Sequence, residues 1–309
     1  MNNTTIPHWY LILDGLTLVF SIIGTVISMS FLLTVIVSRQ ERQSILNLIA
    51  CNTQLPIFLL SGITVHSIAK VLLSDLYGMQ IFDAFCIWRA YFVYTEIAHI
   101  FHSFVVQSYY GYVNVMYAVR PQYGSMRTLL IIMIVQWLII HGAMLVLPLR
   151  NMIDFDIESQ MCSVSLVRYW TIWLMSIFVY APPWNIIAFV YLRLAIFSRQ
   201  SRMRAGNATL NNARRELQLI QRMFLVLTIF SVCALPYTMF AIIALFNPSL
   251  LPVYHYRIIT CFNATALAIA SNIILWQSVS VRQILTNVIM LRKNRRIQPS
   301  LAPPNRIHG

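Results

Sequence analysis

Seven long apolar stretches, joined by short loops, constrain the fold of this chain more than any other feature of its sequence. Each has about 20 residues or more, the length that a helix needs to cross roughly 30 Å of hydrocarbon. They are Leu11–Val37, Ile45–Ile68, Phe85–Val115, Leu129–Pro148, Tyr169–Leu194, Ile220–Leu245 and Ile258–Val279. An odd number of crossings puts the two ends of the chain on opposite sides of the membrane.

The composition also indicates a membrane protein without a separate soluble domain. Of the 309 residues, 59% are hydrophobic and 10% are charged, whereas soluble domains carry about 25% charged residues. The net charge of +13 is concentrated close to the predicted membrane ends. We therefore expect the basic residues to face anionic lipid headgroups and expect no nucleic-acid partner.

The distribution of the basic residues predicts an orientation. Most of the 22 Lys and Arg residues lie in the first, third and fifth loops and after the seventh stretch. By the positive-inside rule this side is cytoplasmic, so the chain is expected to be a multi-pass plasma-membrane protein. Residues 1–10 form an extracellular N-terminus, residues 11–280 the bundle, and residues 281–309 an amphipathic helix with a short cytoplasmic tail. The glycosylation sequons at Asn2 and Asn3 would then lie outside the cell.

Several residues stand at spacings that are informative together. Gly111 follows Cys86 by 25 residues, which is about 37 Å of helix and brackets one membrane crossing. Tyr191 follows Pro183 by eight residues. The remaining landmarks are the segment from Asn47 to Asn52, Trp137, Phe230-Ser231-Val232-Cys233-Ala234-Leu235-Pro236, and Ser271-Asn272-Ile273-Ile274-Leu275-Trp276.

With these landmarks the chain resembles the rhodopsin-like (class A) family of G-protein-coupled receptors, as a divergent member, over about residues 11–290. The resemblance implies an all-α fold, a seven-transmembrane helix bundle with a short amphipathic eighth helix. Cys86 and Cys162 both face the oxidising side, where a disulfide is chemically permitted, and the resemblance implies that they are paired. Connectivity cannot be derived from the sequence alone.

The resemblance also implies a function and candidate residues for it. The expected function is a receptor that binds an extracellular ligand, a peptide or another chemosensory small molecule, within the bundle and signals through a heterotrimeric G protein. The implied ligand-binding residues are Val93, Tyr94, Ile97, Tyr237, Thr238 and Cys261. The implied G-protein face contains Gly111, Tyr112, Arg120 and Tyr191. No cofactor is expected.

Departures from the family pattern bear on ligand and mechanism. Gly111 stands where the family has the Arg that contacts the G protein. Asn52 stands where the family has its sodium-binding Asp. Ala234 stands where the family has the Trp that acts as a switch in the sixth helix. Val93 stands where amine receptors carry Asp, which argues against an amine ligand. The seventh stretch contains no Lys, which excludes a retinal Schiff base. Coupling by the family's usual switch is therefore an open question.

Three polar residues, Asn52, Glu96 and His99, are predicted to lie inside the membrane. Glu96 is interpreted as the only acid well inside an apolar stretch. One hypothesis is that it supplies the charge of the family's sodium pocket, and the alternative is a protonated Glu bonded to a neighbouring helix. His102 continues the same helical face at a step of three. The Glu-x-x-His spacing suits a metal only with a second copy, which the chain lacks, so no metal is expected.

Other functions remain as alternatives. The loop acids Asp154, Asp156 and Glu158 could attract a cationic peptide, or be a solvated loop with no such role. The missing Arg at Gly111 favours a non-signalling decoy or dimer partner as the second interpretation. A transporter is less favoured, because the two halves show no internal repeat. An enzyme is not expected, because no catalytic grouping, nucleotide-binding loop or paired zinc ligands occur.

Overall fold

The apolar stretches form helices because a backbone in hydrocarbon must satisfy its own hydrogen bonds. The structure, a computed structural model, describes residues 8–77, 85–116, 125–157, 159–166, 168–201 and 207–287. Its long helices are α1 (His8–Val37), α2 (Ile45–Tyr77), α3 (Cys86–Met116), α4 (Met126–Met144), α5 (Tyr169–Leu174, Met175–Tyr180 and Ala181–Ser201), α6 (Asn207–Phe246) and α7 (His255–Gln277). Residues 279–287 are also helical. The predicted all-α, seven-helix bundle is confirmed.

Six helical segments of the described chain are long and apolar enough to cross a membrane. They are Trp9–Val37, Ile45–Tyr77, Met126–Leu149, Tyr169–Phe197, Phe224–Phe246 and His255–Gln277. The helix α3 has 31 residues, which is sufficient length, but it carries more polar side chains, Glu96 and His99 among them. Its position explains this composition, because α3 packs against α2, α4, α5 and α6 and has little surface left for lipid.

Helix α1 packs closely on α2 and α7, and a glycine allows the approach. A Cβ added at Gly24 would lie 2.9 Å from the Oγ of Ser61 on α2 and 3.8 Å from the backbone nitrogen of Ala268 on α7. Close backbone approach at small residues is the usual way that membrane helices gain packing energy.

Helix α5 changes its winding in the middle. Met175–Tyr180 is a single π-helical segment, and Pro182 and Pro183 follow it after Ala181. Because proline has no N–H to donate, it leaves carbonyls of the preceding turn without their usual partners, and a wider turn re-satisfies such a backbone. The segment turns Tyr180 toward the interior, where it lines the cavity described below.

A β-hairpin covers one end of the bundle. Its strands β1 (Ile153–Asp156) and β2 (Met161–Val164) pair antiparallel, with Asp154 opposite Ser163. The disulfide between Cys86 and Cys162 joins β2 to the first residue of α3, with a Cα–Cα distance of 5.5 Å. The predicted disulfide is thus present. We call this the hairpin end of the bundle, and the other end, which carries Gln277, the opposite end.

Candidate functional site

Strand β2 is fastened to the bundle by more than the disulfide. The hydroxyl of Tyr94 on α3 shares a 2.8 Å hydrogen bond with the hydroxyl of Ser163. The hydroxyl of Tyr256 on α7 donates to the backbone carbonyl of Val164 over 3.0 Å. Together with Cys162, these contacts hold β2 across the gap between α3 and α7, where it forms one wall of a cavity.

The cavity at the hairpin end encloses about 1120 Å³ of space, including its opening to solvent. Residues of α2, α3, α5, α6, α7 and β2 line it. Four tyrosines from four helices surround it: Tyr94, Tyr180, Tyr237 and Tyr256. The hydroxyl of Tyr237 is buried and has no hydrogen-bond partner among the described residues. A buried polar group without a partner costs free energy, and a ligand that supplied the partner would recover it.

The charged residues of the lining are basic. Lys70 on α2 and Arg89 on α3 both line the cavity, and both are half-buried. Among the described lining residues there is no Asp or Glu.

The structure brings four of the six proposed ligand-binding residues together. Val93, Tyr94, Ile97 and Tyr237 line the cavity. Thr238 and Cys261 are not part of the described lining. Thr238 is exposed on the outside of α6 and donates to the carbonyl of Ala234, because it lies about 100° around the helix from Tyr237.

The cavity residues of α7 that the sequence analysis did not predict follow the helical period. On α7 the lining residues Tyr256, Thr260, Asn263 and Leu267 recur at steps of three and four, as one helical face does. Cys261 is buried one position away from this face. The helical period of α7 could therefore have identified the face, although not the direction in which it points.

A smaller space of about 310 Å³ lies beneath the cavity and shares Leu60, Ile97, Tyr180 and other lining residues with it. Phe230 and Ala234 of α6 also line it. Ala234 stands where the resemblance expects a Trp, and the methyl group leaves this space open. The room in it for a water-sized sphere is only about 10 Å³, so this space does not extend the ligand cavity appreciably.

A buried charge cluster also lies toward the hairpin end, so Glu96 is not the only buried acid of the described chain. Arg257 on α7 donates to Asp14 on α1 over 2.8 Å and to Asp75 on α2 over 2.6 Å. Arg257 and Asp14 are 1% and 0% exposed, respectively, and Asp75 is 6% exposed. Asp14 lies only one turn inside its apolar stretch, and the sequence does not show that α7 brings a cation to it.

Three consecutive residues of α2 link it to four neighbouring helices. Asn52 bonds Gln136 and Trp137 on α4, at 3.1 and 3.0 Å. Thr53 bonds Ser103 and Gln107 on α3, at 2.8 and 2.6 Å. Gln54 accepts from Ser28 on α1 at 2.7 Å and donates to the Ser271 carbonyl on α7 at 3.2 Å. The residue of α2 that faces α1 and α7 is thus Gln54, whereas Asn52 faces α4.

Glu96 and His99 are buried in α3, at 1% and 0% exposure. The Oε2 atom of Glu96 and both ring nitrogens of His99 have no hydrogen-bond partner among the described residues. The imidazole of His99 stacks on the indole of Trp137, with ring centroids 4.0 Å apart. This face of α3 is therefore turned toward α4. No group of three or more metal-ligating side chains occurs in the described part of the chain.

The proposed G-protein face lies at the opposite end and is only partly described. Gly111 is buried in α3. Tyr112 on α3 and Tyr191 on α5 pack on the same small apolar cluster, formed by Val190 and Leu194. Arg120 lies outside the described residues, as do the sequons at Asn2 and Asn3. The buried Glu41 accepts from Asn47 and, at 2.7 Å, from Ser280, which ties the first loop to the segment after α7.

The acids of the loop that forms the hairpin take part in its own structure. Asp154 pairs with Arg168 at 3.3 Å, with both side chains about half exposed. The Oδ2 atom of Asp156 accepts from the backbone nitrogen of Ser159 at 3.1 Å. Glu158 lies outside the described residues. Neither Asp154 nor Asp156 is among the described residues that line the cavity.

Comparison with known proteins gives a structural match but no sequence match. No family model matches the chain, and no curated protein does. Among solved structures, squid rhodopsin superimposes with a TM-score of 0.76 at 18% sequence identity, over 93% of this chain and 87% of that one. At this identity the match concerns the fold. The chain therefore has the seven-helix fold of squid rhodopsin and is a multi-pass membrane protein.

Proposed function

We propose that the chain is a divergent rhodopsin-like receptor that binds an extracellular ligand in the cavity at the hairpin end and signals to the cytoplasm. In this proposal the hairpin end and the N-terminus lie outside the cell. The main support is the cavity itself, a deep space under a tethered hairpin that presents the buried, unpartnered hydroxyl of Tyr237. Ligand sites are typically such concave, largely preformed spaces with a few placed polar groups.

The ligand in this proposal is a small molecule. The space that a water-sized sphere can reach in this cavity is about 100 Å³, which favours a small molecule over a peptide. Of the hairpin acids that could attract a cationic peptide, Asp154 forms an ion pair and Asp156 accepts a hydrogen bond within a turn. The lining instead combines four tyrosines with Lys70 and Arg89.

A heterotrimeric G protein is the proposed cytoplasmic partner, and Gly111 favours a second candidate. Because Gly111 has no side chain, it makes neither the polar contacts of an inactive state nor the contact with a G protein that the family's Arg makes. A receptor-like decoy or dimer partner that binds ligand without signalling is therefore the alternative. The two candidates differ in output and share the same ligand cavity.

A G-protein activation assay in cells separates the two candidates. The native chain, Gly111→Arg and empty vector are compared at matched surface expression, for several Gα classes. We expect the native chain to raise nucleotide exchange above the empty vector. Gly111→Arg controls for the assay, because it restores the family's contact residue. A silent native chain beside an active Gly111→Arg variant would support the decoy.

A further inference from the structure

One hydroxyl group in the central cavity has no partner among the described residues. The hydroxyl of Tyr237 on α6 is buried and makes no hydrogen bond with them, and Tyr237 as a whole is 9% exposed. Tyr94, Tyr180 and Tyr256 line the same cavity and lie close enough to Tyr237 to interact with it electrostatically. The hydroxyl is therefore directed toward the cavity, where a bound molecule can accept a hydrogen bond from it.

Two neighbouring tyrosines use their hydroxyls differently. Tyr94 shares a hydrogen bond with Ser163, and Tyr256 donates to the carbonyl of Val164, so both hydroxyls hold strand β2 in place. The hydroxyl of Tyr237 holds no described element, and a phenylalanine ring would fill the same space. In the free cavity a water molecule can satisfy this hydroxyl, and a ligand with an acceptor atom would then take the place of that water.

The ligand group that Tyr237 meets is best uncharged. Tyr237 packs in an apolar cluster that includes Leu166 and Ile259. Lys70 and Arg89 line the cavity, but both already interact with other groups. A charged ligand group beside Tyr237 would therefore lose its hydration without gaining a spare opposite charge from the described lining, which is costly. A carbonyl oxygen or a neutral ring nitrogen accepts a hydrogen bond from a phenol without that cost.

The size and the walls of the cavity favour a single aromatic ring. A water-sized sphere reaches about 100 Å³ of it. One water needs about 10 to 15 Å³ of such volume, so the cavity holds roughly seven to ten waters, or a ligand with a similar number of non-hydrogen atoms. The side chains of Tyr94, Tyr180, Tyr237 and Tyr256 surround this space. Aromatic rings pack favourably against one another in offset or edge-to-face arrangements.

We propose that the ligand is a small uncharged aromatic molecule with a hydrogen-bond acceptor, and that the hydroxyl of Tyr237 donates to that acceptor. The inference rests on the proposed function, because it takes the central cavity as the ligand site. It adds the chemical class of the ligand and the residue that selects it. Acetophenone, an aryl ketone of suitable size, represents this class. Its hydrocarbon isostere α-methylstyrene has nearly the same shape, with a methylene group in place of the carbonyl oxygen.

The experiment is equilibrium binding of tritiated acetophenone to the purified full chain in phosphatidylcholine nanodiscs, with the signal of empty nanodiscs subtracted. We expect saturable binding that unlabelled acetophenone displaces. α-Methylstyrene and benzoate should compete about tenfold less effectively, because the first lacks the acceptor and the second carries a charge. Cyclohexyl methyl ketone, which keeps the carbonyl group but has no aromatic ring, should also compete less effectively than acetophenone.

Tyr237→Phe removes the proposed donor, and Tyr256→Phe is the matched control, because it makes the same change at a hydroxyl that is bonded within the protein. Tyr237→Phe should weaken acetophenone binding about tenfold and leave the inhibition constant of α-methylstyrene unchanged. Thermal unfolding of the free protein in the same nanodiscs separates a ligand contact from a structural role. Tyr237→Phe should keep or raise the melting temperature, whereas Tyr256→Phe should lower it, because only the control loses a hydrogen bond within the protein.

Several results overturn the proposal. These are the absence of saturable binding to the native chain, equal affinities of the native chain and Tyr237→Phe for acetophenone, and competition by benzoate or cyclohexyl methyl ketone as strong as that by acetophenone. A melting temperature that falls as far in Tyr237→Phe as in Tyr256→Phe overturns it as well, because the hydroxyl is then structural. The measurement uses no G protein, so a chain that binds as expected but never activates one contradicts the proposed signalling and leaves this inference standing.

Discussion

Ala234 and Ala241 show how two alanines on one helix can have different surroundings. Ala234 lies on α6 below Tyr237 and borders the space of about 310 Å³ under the cavity. Ala241 lies seven residues further along the same helix, but it is buried within an apolar cluster that includes Leu166 and Ile259. The two alanines lie on the same helix, but Ala234 borders a space whereas Ala241 is enclosed by other side chains.

We expect Ala241→Phe to cost more stability than Ala234→Phe. Ala234 is only partly buried, so a phenyl ring there can turn toward the surface and the melting temperature should change little. A ring at Ala241 overpacks its cluster and should cost about 1 to 3 kcal/mol. Thermal unfolding of the purified variants in detergent tests this. Equal losses at both positions would contradict this difference in burial.

Other residues mark the limit of what the sequence could predict. Val93, Tyr94, Ile97 and Tyr237 could be proposed for the cavity because the landmark residues fix the register of α3 and α6. The pairing of Arg257 with acids on α1 and α2 could not be predicted, because it depends on which helices are neighbours. Hydrophobicity reports the length of each helix, whereas helix neighbours are set by tertiary packing.

At the scale of elements, the cluster around Arg257 joins α1, α2 and α7. A buried ion pair adds little stability beyond that of apolar residues, but removing one partner leaves a costly unpaired charge. The exposed pair of Arg168 and Asp154 lies in a connecting loop, where water screens it. Loss of the arginine from an Arg–Asp pair is therefore expected to cost more stability at Arg257 than at Arg168.

We expect Arg257→Ala to destabilise the bundle by about 3 kcal/mol or more, because both Asp14 and Asp75 lose their partner. Arg168→Ala should cost less than about 1 kcal/mol. Thermal unfolding in detergent measures both changes. Replacing the three members together, as Arg257→Met with Asp14→Asn and Asp75→Asn, should recover much of the loss. A triple variant no more stable than Arg257→Ala would refute the charge explanation.

At the scale of the whole molecule, the seven-helix order follows from features that the sequence displays, whereas the disulfide is expected only from the family resemblance. Helix lengths follow from the apolar stretches, and the positions of Cys86 and Cys162 agree with a hairpin tethered to α3. The uneven distribution of the basic residues between the two ends predicts which end of the bundle faces the cytoplasm. The coordinates of the bundle alone do not contain this information. This orientation remains a prediction.

We expect an epitope tag at the N-terminus to be stained on intact cells and a tag at the C-terminus only after permeabilisation, as the positive-inside rule requires. A glycosidase should increase the gel mobility of the native chain. The double variant Asn2→Gln with Asn3→Gln, which removes both sequons, should show no such change. Staining of the C-terminal tag on intact cells would reverse the orientation.

The three consecutive links of α2 restrict how that helix can move. Successive residues project about 100° apart, so Asn52, Thr53 and Gln54 together span most of the circumference of α2. Turning α2 about its own axis would break its hydrogen bonds to α1, α3, α4 and α7 at once. Pro56 follows two residues later and interrupts the backbone hydrogen bonding. A bend at Pro56 would keep these hydrogen bonds but would strain the ion pair of Asp75 with Arg257, so α2 is held on both sides of its proline.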